Sequence, residues 1–410
     1  MKVLVIGSGE VGTASAWDLV RDSEVELVGI VGRRKSSLER IRKWISSDKL
    51  KLHVLDVSNA TDMKTLMRQY DVGIVSLPDR KTSYRTLETA IEAGFSTVDI
   101  LEEYHRRPDR YETEGLDIPH QMTLEEYGEW LHERAVENEV IVVDGLGFAP
   151  GLSNITTGEA IRKMDKAESA IARVGGIPTK EASVKYPLKY MITWAFEHVL
   201  REYMIQVEVI KDGRVVEVPA LSDRERFRFA KLGKNEELEC AITPGMPSYI
   251  YTRPQLNEFA EKTIRWPGHY EGIDTLKEFG MLDLTPVEFK GMNIVPRDFI
   301  LSLIGPKLKA AEGDTDVCVM QNTVTGTKNG HKMRIDYYMW EEADKENGIS
   351  AMGRVTGFPA AIGAKLIAKG EIDKKGIVAP EDAVEGRVYQ AFIEELTKKN
   401  ITVLEVPEIG

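Results

Sequence analysis

The chain is poor in the residues that would place it in several large classes of protein. It has two cysteines, Cys240 and Cys318, in 410 residues. That is too few for a disulfide framework or a thiolate zinc centre, and both read as buried structural thiols of a protein kept in a reducing cytoplasm. No apolar run approaches the roughly 20 residues of a membrane-spanning helix. The apolar stretch in "MKVLVIGSGE" is too short for a signal sequence and runs straight into glycines. Acids outnumber bases, 66 to 54, for a net charge of −12, which argues against the dense basic surface that a nucleic-acid partner requires. The histidines, His53, His105, His120, His132, His198, His269 and His331, include no pair at H-x-x-x-H spacing, and no metal is expected. Ser153 lies outside any G-x-S-x-G turn, so serine hydrolase chemistry has no support.

What is present is alternation. The length exceeds one hydrophobic core, and two domains are expected. "VLVI" at 3–6 is a fully apolar run closed by glycine, suited to a central parallel strand. Further strands are read at "VELVGIV", at 52–57, 72–77 and 96–100, and in "VIVVDGLG" at 140–147, with helical spacing between them. This pattern predicts an α/β doubly wound parallel sheet over 1–150. An acid-rich insertion at about 102–125 reads as an exposed excursion ahead of an amphipathic helix. Residues 151–350 read as an α+β domain with a mixed sheet, its hairpins turning at Asp212-Gly213 and Asn329-Gly330. "TGFPAAIGAKLIAKGEI" at 356–372 reads as a helix opened by Thr356 and Pro359.

Gly7, Gly9 and Gly12 form G-x-G-x-x-G between the first strand and the first helix. The first glycine allows the tight turn, the second lets backbone approach a pyrophosphate, and the third allows close helix–strand packing. With Glu10 and Val11 they form the expected dinucleotide contact at a helix N-terminus. The acid that would bind a ribose 2′-hydroxyl belongs at the end of the second strand. Gly32 occupies that place, followed by Arg33, Arg34, Lys35 and Ser36. With no carboxylate to repel a 2′-phosphate and guanidinium groups to receive it, NADP is the expected cofactor, NAD being possible. Ser76, Leu77 and Pro78, after the fourth strand, are the expected contacts of the nicotinamide half. Asp99, at the tip of the fifth strand, faces the same crevice as a substrate-binding candidate or serves as a turn aspartate.

Four stretches from residue 145 onward, "GLGFAPGLSN" at 145–154, "GGIP" at 175–178, "EKTIRWPGH" at 261–269 and "GRVTGFPAAIGAKLIAKGEI" at 353–372, resemble the saccharopine dehydrogenase family, most closely its lysine 6-dehydrogenase branch. The resemblance covers nearly the whole chain apart from the acid-rich insertion. It implies a Rossmann domain, a substrate domain, and C-terminal helices over 351–410 returning to the Rossmann domain. It also implies reversible oxidation of an amino-acid C–N bond with hydride passing to a nicotinamide. Two departures stand out. Saccharopine reductases typically carry an aspartate where this chain has Ala149, and lysine dehydrogenases are associated with NAD, whereas Gly32-Arg33-Arg34 points to NADP.

Amine oxidation needs a neutral amine, a carbon about 3–3.5 Å from the nicotinamide, and remote groups to hold the substrate. Arg265 is the candidate two-point carboxylate binder, or else an internal ion-pair partner. His269, after Pro-Gly, is the candidate base, with Lys262 a second source of charge and Asp144 a neutraliser of substrate ammonium or a loop cap. Gly175 and Gly176 offer backbone to a substrate or form a plain bend. Thr356 faces the nicotinamide or caps its helix. The expectation is a cytoplasmic, homodimeric NAD(P)-dependent dehydrogenase that deaminates the lysine side chain to a cyclising aldehyde. Its rivals are a secondary-amine-forming reductase of the saccharopine type and a nucleotide sensor without turnover. The partners expected are a small amino-acid substrate and a second copy, with no nucleic acid or membrane.

Overall fold

The structure is a computed structural model that describes residues 1–110, 116–119 and 121–410. The chain packs into two units, each described by itself: Met1–Lys166 with Met246–Pro254 and Gly353–Val403, and Ala167–Gly245 with Gln255–Met352 and Leu404–Gly410. Helix Leu152–Arg162 thus goes with the first unit, whereas the sequence expectation placed 151–350 in the second.

In the first unit, β1 (Lys2–Ile6), α1 (Glu10–Leu19), β2 (Leu27–Gly32), α2 (Lys35–Ile45), β3 (Leu50–Val54), α3 (Ala60–Met67) and β4 (Val72–Val75) alternate in order. They continue through α4 (Arg80–Ala93), β5 (Thr97–Asp99), α5 (Leu124–Glu137) and β6 (Ile141–Val143). The strands form one parallel sheet in the order β6-β5-β4-β1-β2-β3, with Gly376–Val378 added parallel beyond β6. This is the expected doubly wound sheet, and the reversal of direction beside β1 lies at the glycine turn. Gly353–Val403 packs with this unit, whereas Leu404–Ile409, read among the returning helices, is a strand of the second unit's sheet. The returning helix is longer at its start, Ala351–Ala368, because Asp316 accepts from the Ala351 and Met352 amides at 2.7 and 2.9 Å and caps it there. Thr356 and Pro359 therefore lie inside the helix and do not open it.

In the second unit the mixed sheet runs Glu225–Phe229, Glu236–Ile242, Glu258–Arg265, Lys166–Pro178, Asp316–Lys328, His331–Glu342 and Leu404–Ile409. Glu258–Arg265 is parallel to Lys166–Pro178 and antiparallel to Glu236–Ile242. The two hairpins fall where the sequence put them. Asp212 and Gly213, and Asn329 and Gly330, all have positive φ, as a two-residue turn matched to strand twist requires.

The acid-rich insertion is not simply an exposed excursion. Glu103, Tyr104 and His105 are buried, and α5 opens on a capping box between Thr123 and Glu126. Residues 111–115 and His120, also part of that reading, lie outside the described residues.

At the glycine turn, Gly7 has φ +124, and an added Cβ would overlap the Ser76 carbonyl, whereas one on Gly9 would meet nothing within 4 Å. Gly7→Ala is therefore expected to cost about 3 kcal/mol of stability in chemical denaturation, while Gly9→Ala leaves the unfolding midpoint unchanged and weakens dinucleotide binding.

Candidate functional site

The dinucleotide site is built from backbone. Gly9 caps α1 without any side-chain hydrogen bond, and a helix N-terminus of this kind is suited to an anion. Gly12 lies so close to Gly7 that no side chain fits between them, and its missing Cβ would also approach Ser76 Oγ at 3.3 Å. The Ser76 amide donates to the Ile6 carbonyl at 2.8 Å, which sets Ser76, half-buried Leu77 and exposed Pro78 beside the turn. Glu10 is exposed and Val11 partly buried in the first turn of α1. Gly32 ends β2 against Ser8, and Arg33, Arg34, Lys35 and Ser36 after it are all exposed. The Arg34 side chain makes no hydrogen bond or ion pair among the described residues, whereas Arg33 lowers the pKa of Asp56 weakly through its charge. An open Gly9, a helix N-terminus without a side-chain cap and an arginine unpaired among the described residues past an acid-free strand end fit a phosphorylated dinucleotide. Thr356 packs its methyl against Gly147.

Asp99 and Asp144 belong instead to a closed ionic network at the strand ends of the same sheet. The Asp144 carboxylate accepts from the His105 amide at 2.6 Å and from His105 Nδ1 at 2.7 Å. His105 Nε2 lies 2.9 Å from Ser83 Oγ, which donates to Asp99 at 2.7 Å; Asp99 also accepts from the Leu101 amide at 2.7 Å. Beside it, Arg80 binds Glu103 with two donors at 2.6 and 3.0 Å, and the Tyr84 hydroxyl donates to Glu103 at 3.0 Å. Burial opposes the His105 charge, but the Asp144 carboxylate, its hydrogen bond, Asp99 and Glu103 outweigh it and push the pKa up to about 9. Both aspartates are fully occupied by this chain's own groups. His105 and Ser83, which complete the network, were missed in the sequence, because a lone histidine in an acid-rich stretch carries no spacing signal.

In the second unit the decisive element is the strand Glu258–Arg265. Side chains alternate between its faces, so Glu261, Thr263 and Arg265 share one face and Lys262 and Ile264 the other. Arg265 donates from Nε to the Tyr203 hydroxyl at 2.9 Å and from Nη1 to the Ile264 carbonyl at 3.0 Å. Its guanidinium carbon stands 5.4 Å from the Tyr190 ring centroid and 6.0 Å from that of Tyr203. It is 4% exposed, forms no ion pair among the described residues, and its Nη2 makes no hydrogen bond among them.

His269 follows the Pro267-Gly268 turn, where Gly268 takes φ +99 and Glu239 accepts from the Gly268 and Tyr270 amides at 3.1 Å each. That turn points the imidazole inward. Nδ1 donates to the Leu188 carbonyl at 2.9 Å, so Nε2 accepts from the Tyr203 hydroxyl at 3.1 Å. Burial first, and then the Arg265 charge, push its pKa down to about 3. With both nitrogens engaged and the ring neutral, His269 holds Tyr203 and the Leu188 loop in place and is not placed as a base. Lys262 is brought to the opposite face, where its Nζ pairs with Asp223 at 2.8 Å and Glu225 at 3.1 Å. Its pKa is raised: those two acids overcome the burial that opposes its charge. Gly175 is forced by the neighbouring strand, since its Cβ would stand 2.5 Å from the Ile264 carbonyl, and the Gly176 side-chain volume is taken by Met352. Neither is open in the way a substrate-facing glycine would be. Tyr190, Tyr203 and Glu261 were not singled out in the sequence, although the odd-numbered alternation of "EKTIR" would have paired Glu261 with Arg265.

A parallel sheet with an open glycine turn at its switch point, in a chain that also carries a mixed-sheet unit, defines a dinucleotide-dependent oxidoreductase. The chain belongs to the saccharopine dehydrogenase family: residues 3–144 match the saccharopine dehydrogenase NADP binding domain and residues 147–401 the saccharopine dehydrogenase C-terminal domain. It is an NAD(P)-dependent amino-acid dehydrogenase. Carboxyaminopropylagmatine dehydrogenase of a Synechocystis species is 22% identical over 401 residues, covering 93% of this chain and 92% of that one. The NADP(+), L-glutamate-forming saccharopine dehydrogenase of Schizosaccharomyces pombe is 21% identical, with 98% of both chains covered. Against the bovine mitochondrial alpha-aminoadipic semialdehyde synthase, 24% identical, the chain spans 47% of the relative's length. The apo saccharopine dehydrogenase (L-Glu forming) from Saccharomyces cerevisiae shares the fold, with a TM-score of 0.76 at 19% identity over 99% of both chains.

The two buried histidines are expected to titrate in opposite senses. The folded pKa of His105 is raised above its ordinary 6.5, so its contribution is complete below about 6.5 and is lost as pH rises through about 9. That of His269 is depressed, so its contribution is lost as pH falls from 6.5 toward about 3. Urea unfolding measured against pH should show both limbs, with His105→Gln flattening the alkaline one only.

Proposed function

We propose that the protein is an NADP-dependent dehydrogenase that makes or breaks a secondary amine joining an amino acid to a second carbon skeleton. The observation that carries the amino-acid half is the Arg265 guanidinium, buried and without a carboxylate partner among the described residues. A buried cation left unpaired is costly, and a substrate carboxylate is the partner that the site is built to accept. The secondary-amine half is supported by the relatives, named for saccharopine and carboxyaminopropylagmatine, that align over almost their whole length. Oxidation of the free lysine side chain, the finer reading drawn from the resemblance, stands second because no relative named above carries that activity.

Bound NADP supplies the hydride acceptor or donor. The chain's part is to hold both reactants. The first amides of α1 and the open Gly9 receive the pyrophosphate, Arg34 with Arg33 and Ser36 receives the 2′-phosphate, and Arg265 fixes a carboxylate. Tyr190 and Tyr203 hold the guanidinium in one plane, and His269 orients the Tyr203 hydroxyl. The reading keeps the cytoplasm as its compartment and a homodimer as its assembly.

The test is NADPH oxidation with an amino acid and a carbonyl acid together, against NADP reduction with lysine alone. Turnover only in the first supports the proposal, and turnover only with lysine replaces it by the second reading. Arg34→Ala is expected to raise the KM for NADPH tenfold or more and leave that for NADH within about twofold. Arg265→Lys, which keeps the charge but loses the planar fork, should raise the amino-acid KM tenfold or more.

A further inference from the structure

Glu261 is the second buried ionisable group on the face that carries Arg265, and it is left half-satisfied. Its Oε2 accepts from Thr243 Oγ1 at 2.6 Å and from the Gly245 amide at 3.0 Å. Its Oε1 is buried with no hydrogen-bond partner, and the residue is 3% exposed. A buried acceptor left unmade costs roughly 1–3 kcal/mol, more if charged. The surroundings hold that oxygen in place: Thr243 is itself braced by Thr263 Oγ1 at 2.6 Å, and a Cβ on Gly245 would come within 2.7 Å of the Glu261 carboxyl carbon.

Four residues along a strand span about 13 Å. That face thus carries a buried cation and, four residues away, a buried carboxyl whose second oxygen has no partner. We propose that Glu261 is a substrate-binding residue that takes the ammonium of the amino acid whose carboxylate Arg265 receives. This rests on the Arg265 reading above and adds to it a demand for an amine.

The charged and polar groups facing Glu261 from each neighbouring element set its state. Burial raises its pKa. Thr243 and Gly245 on the adjoining segment lower it, Glu202 from helix Phe196–Glu202 raises it, and Arg265 on its own strand lowers it, leaving it at about 8. The carboxyl is therefore protonated in the free enzyme at neutral pH and ionises when an ammonium arrives, releasing one proton.

Calorimetric titration of the NADP-saturated full chain with L-glutamate, and with glutarate, which keeps both carboxylates and lacks the amine, tests this. The expected result is tenfold or greater preference for L-glutamate. Near pH 7 its binding should release close to one proton, read from heats in buffers of different ionisation enthalpy. Glu261→Gln should bind the two ligands alike and release none. Equal affinities in the wild type, or a glutamate preference that survives in Glu261→Gln, overturn the proposal. The wild type alone gives a second measure: L-glutamate affinity should rise as pH approaches about 8 while glutarate affinity does not, and a flat glutamate profile also overturns it. Glutarate binding lost in Arg265→Lys, with no preference for glutamate in the wild type, keeps the Arg265 reading and removes Glu261. Failure of both ligands to bind the wild type removes both.

Discussion

A guanidinium taken out of water without a carboxylate beside it governs the second unit. Solvation lost by Arg265 is replaced by a phenol oxygen, a backbone carbonyl and two aromatic faces, each weaker than an ion pair. Much of the local structure follows. Tyr203 must offer its oxygen to the arginine, so its proton must go elsewhere, and it goes to His269. His269 must then stay neutral and pass its own proton to the Leu188 carbonyl, which requires the Pro-Gly turn and the Glu239 cap that set the ring's direction. The donors run one way, from arginine to tyrosine to histidine to backbone, and reversing any of them leaves a buried donor facing a donor.

The first unit treats buried charge in the opposite manner. His105 and Arg80 each meet a carboxylate directly, and the remaining acceptors are used by Ser83, Tyr84 and backbone amides. Such a closed network fastens the chain leaving β5 to the ends of β6 and α4, and it has nothing left to offer a ligand. Saturated and unsaturated buried charge thus separate a structural role from a binding role.

Much of the first unit was legible in the sequence, because strand–helix alternation, the glycine turn and the missing acid at Gly32 are all local signals. So were the hairpins, whose turn residues must take positive φ. Arg265 was found through the loop motif around it. What was not legible was the direction of side chains. Lys262 and His269 lie within a few residues of Arg265, yet strand parity sends the lysine to the other face and a buried hydrogen-bond chain consumes the histidine. Asp99 and Asp144 stand at strand tips as expected, but their partners come from Ser83 on α4 and from His105 in a segment whose composition suggested solvent. The start of the returning helix was misplaced for a similar reason, since the cap is Asp316, distant in sequence.

The close fit of Gly32 to Ser8 bears on how this protein's cofactor preference can change over time. An acid at the end of β2 is the ordinary way for such a sheet to favour the unphosphorylated dinucleotide. Here the first carbon of a side chain at 32 would overlap the Ser8 hydroxyl where it now stands. Acquiring that acid requires the Ser8 side chain to turn or shift as well, inside the phosphate-binding turn itself. The preference is therefore held by packing as well as by charge, and drift of the exposed arginines alone would weaken the existing cofactor without supplying the other.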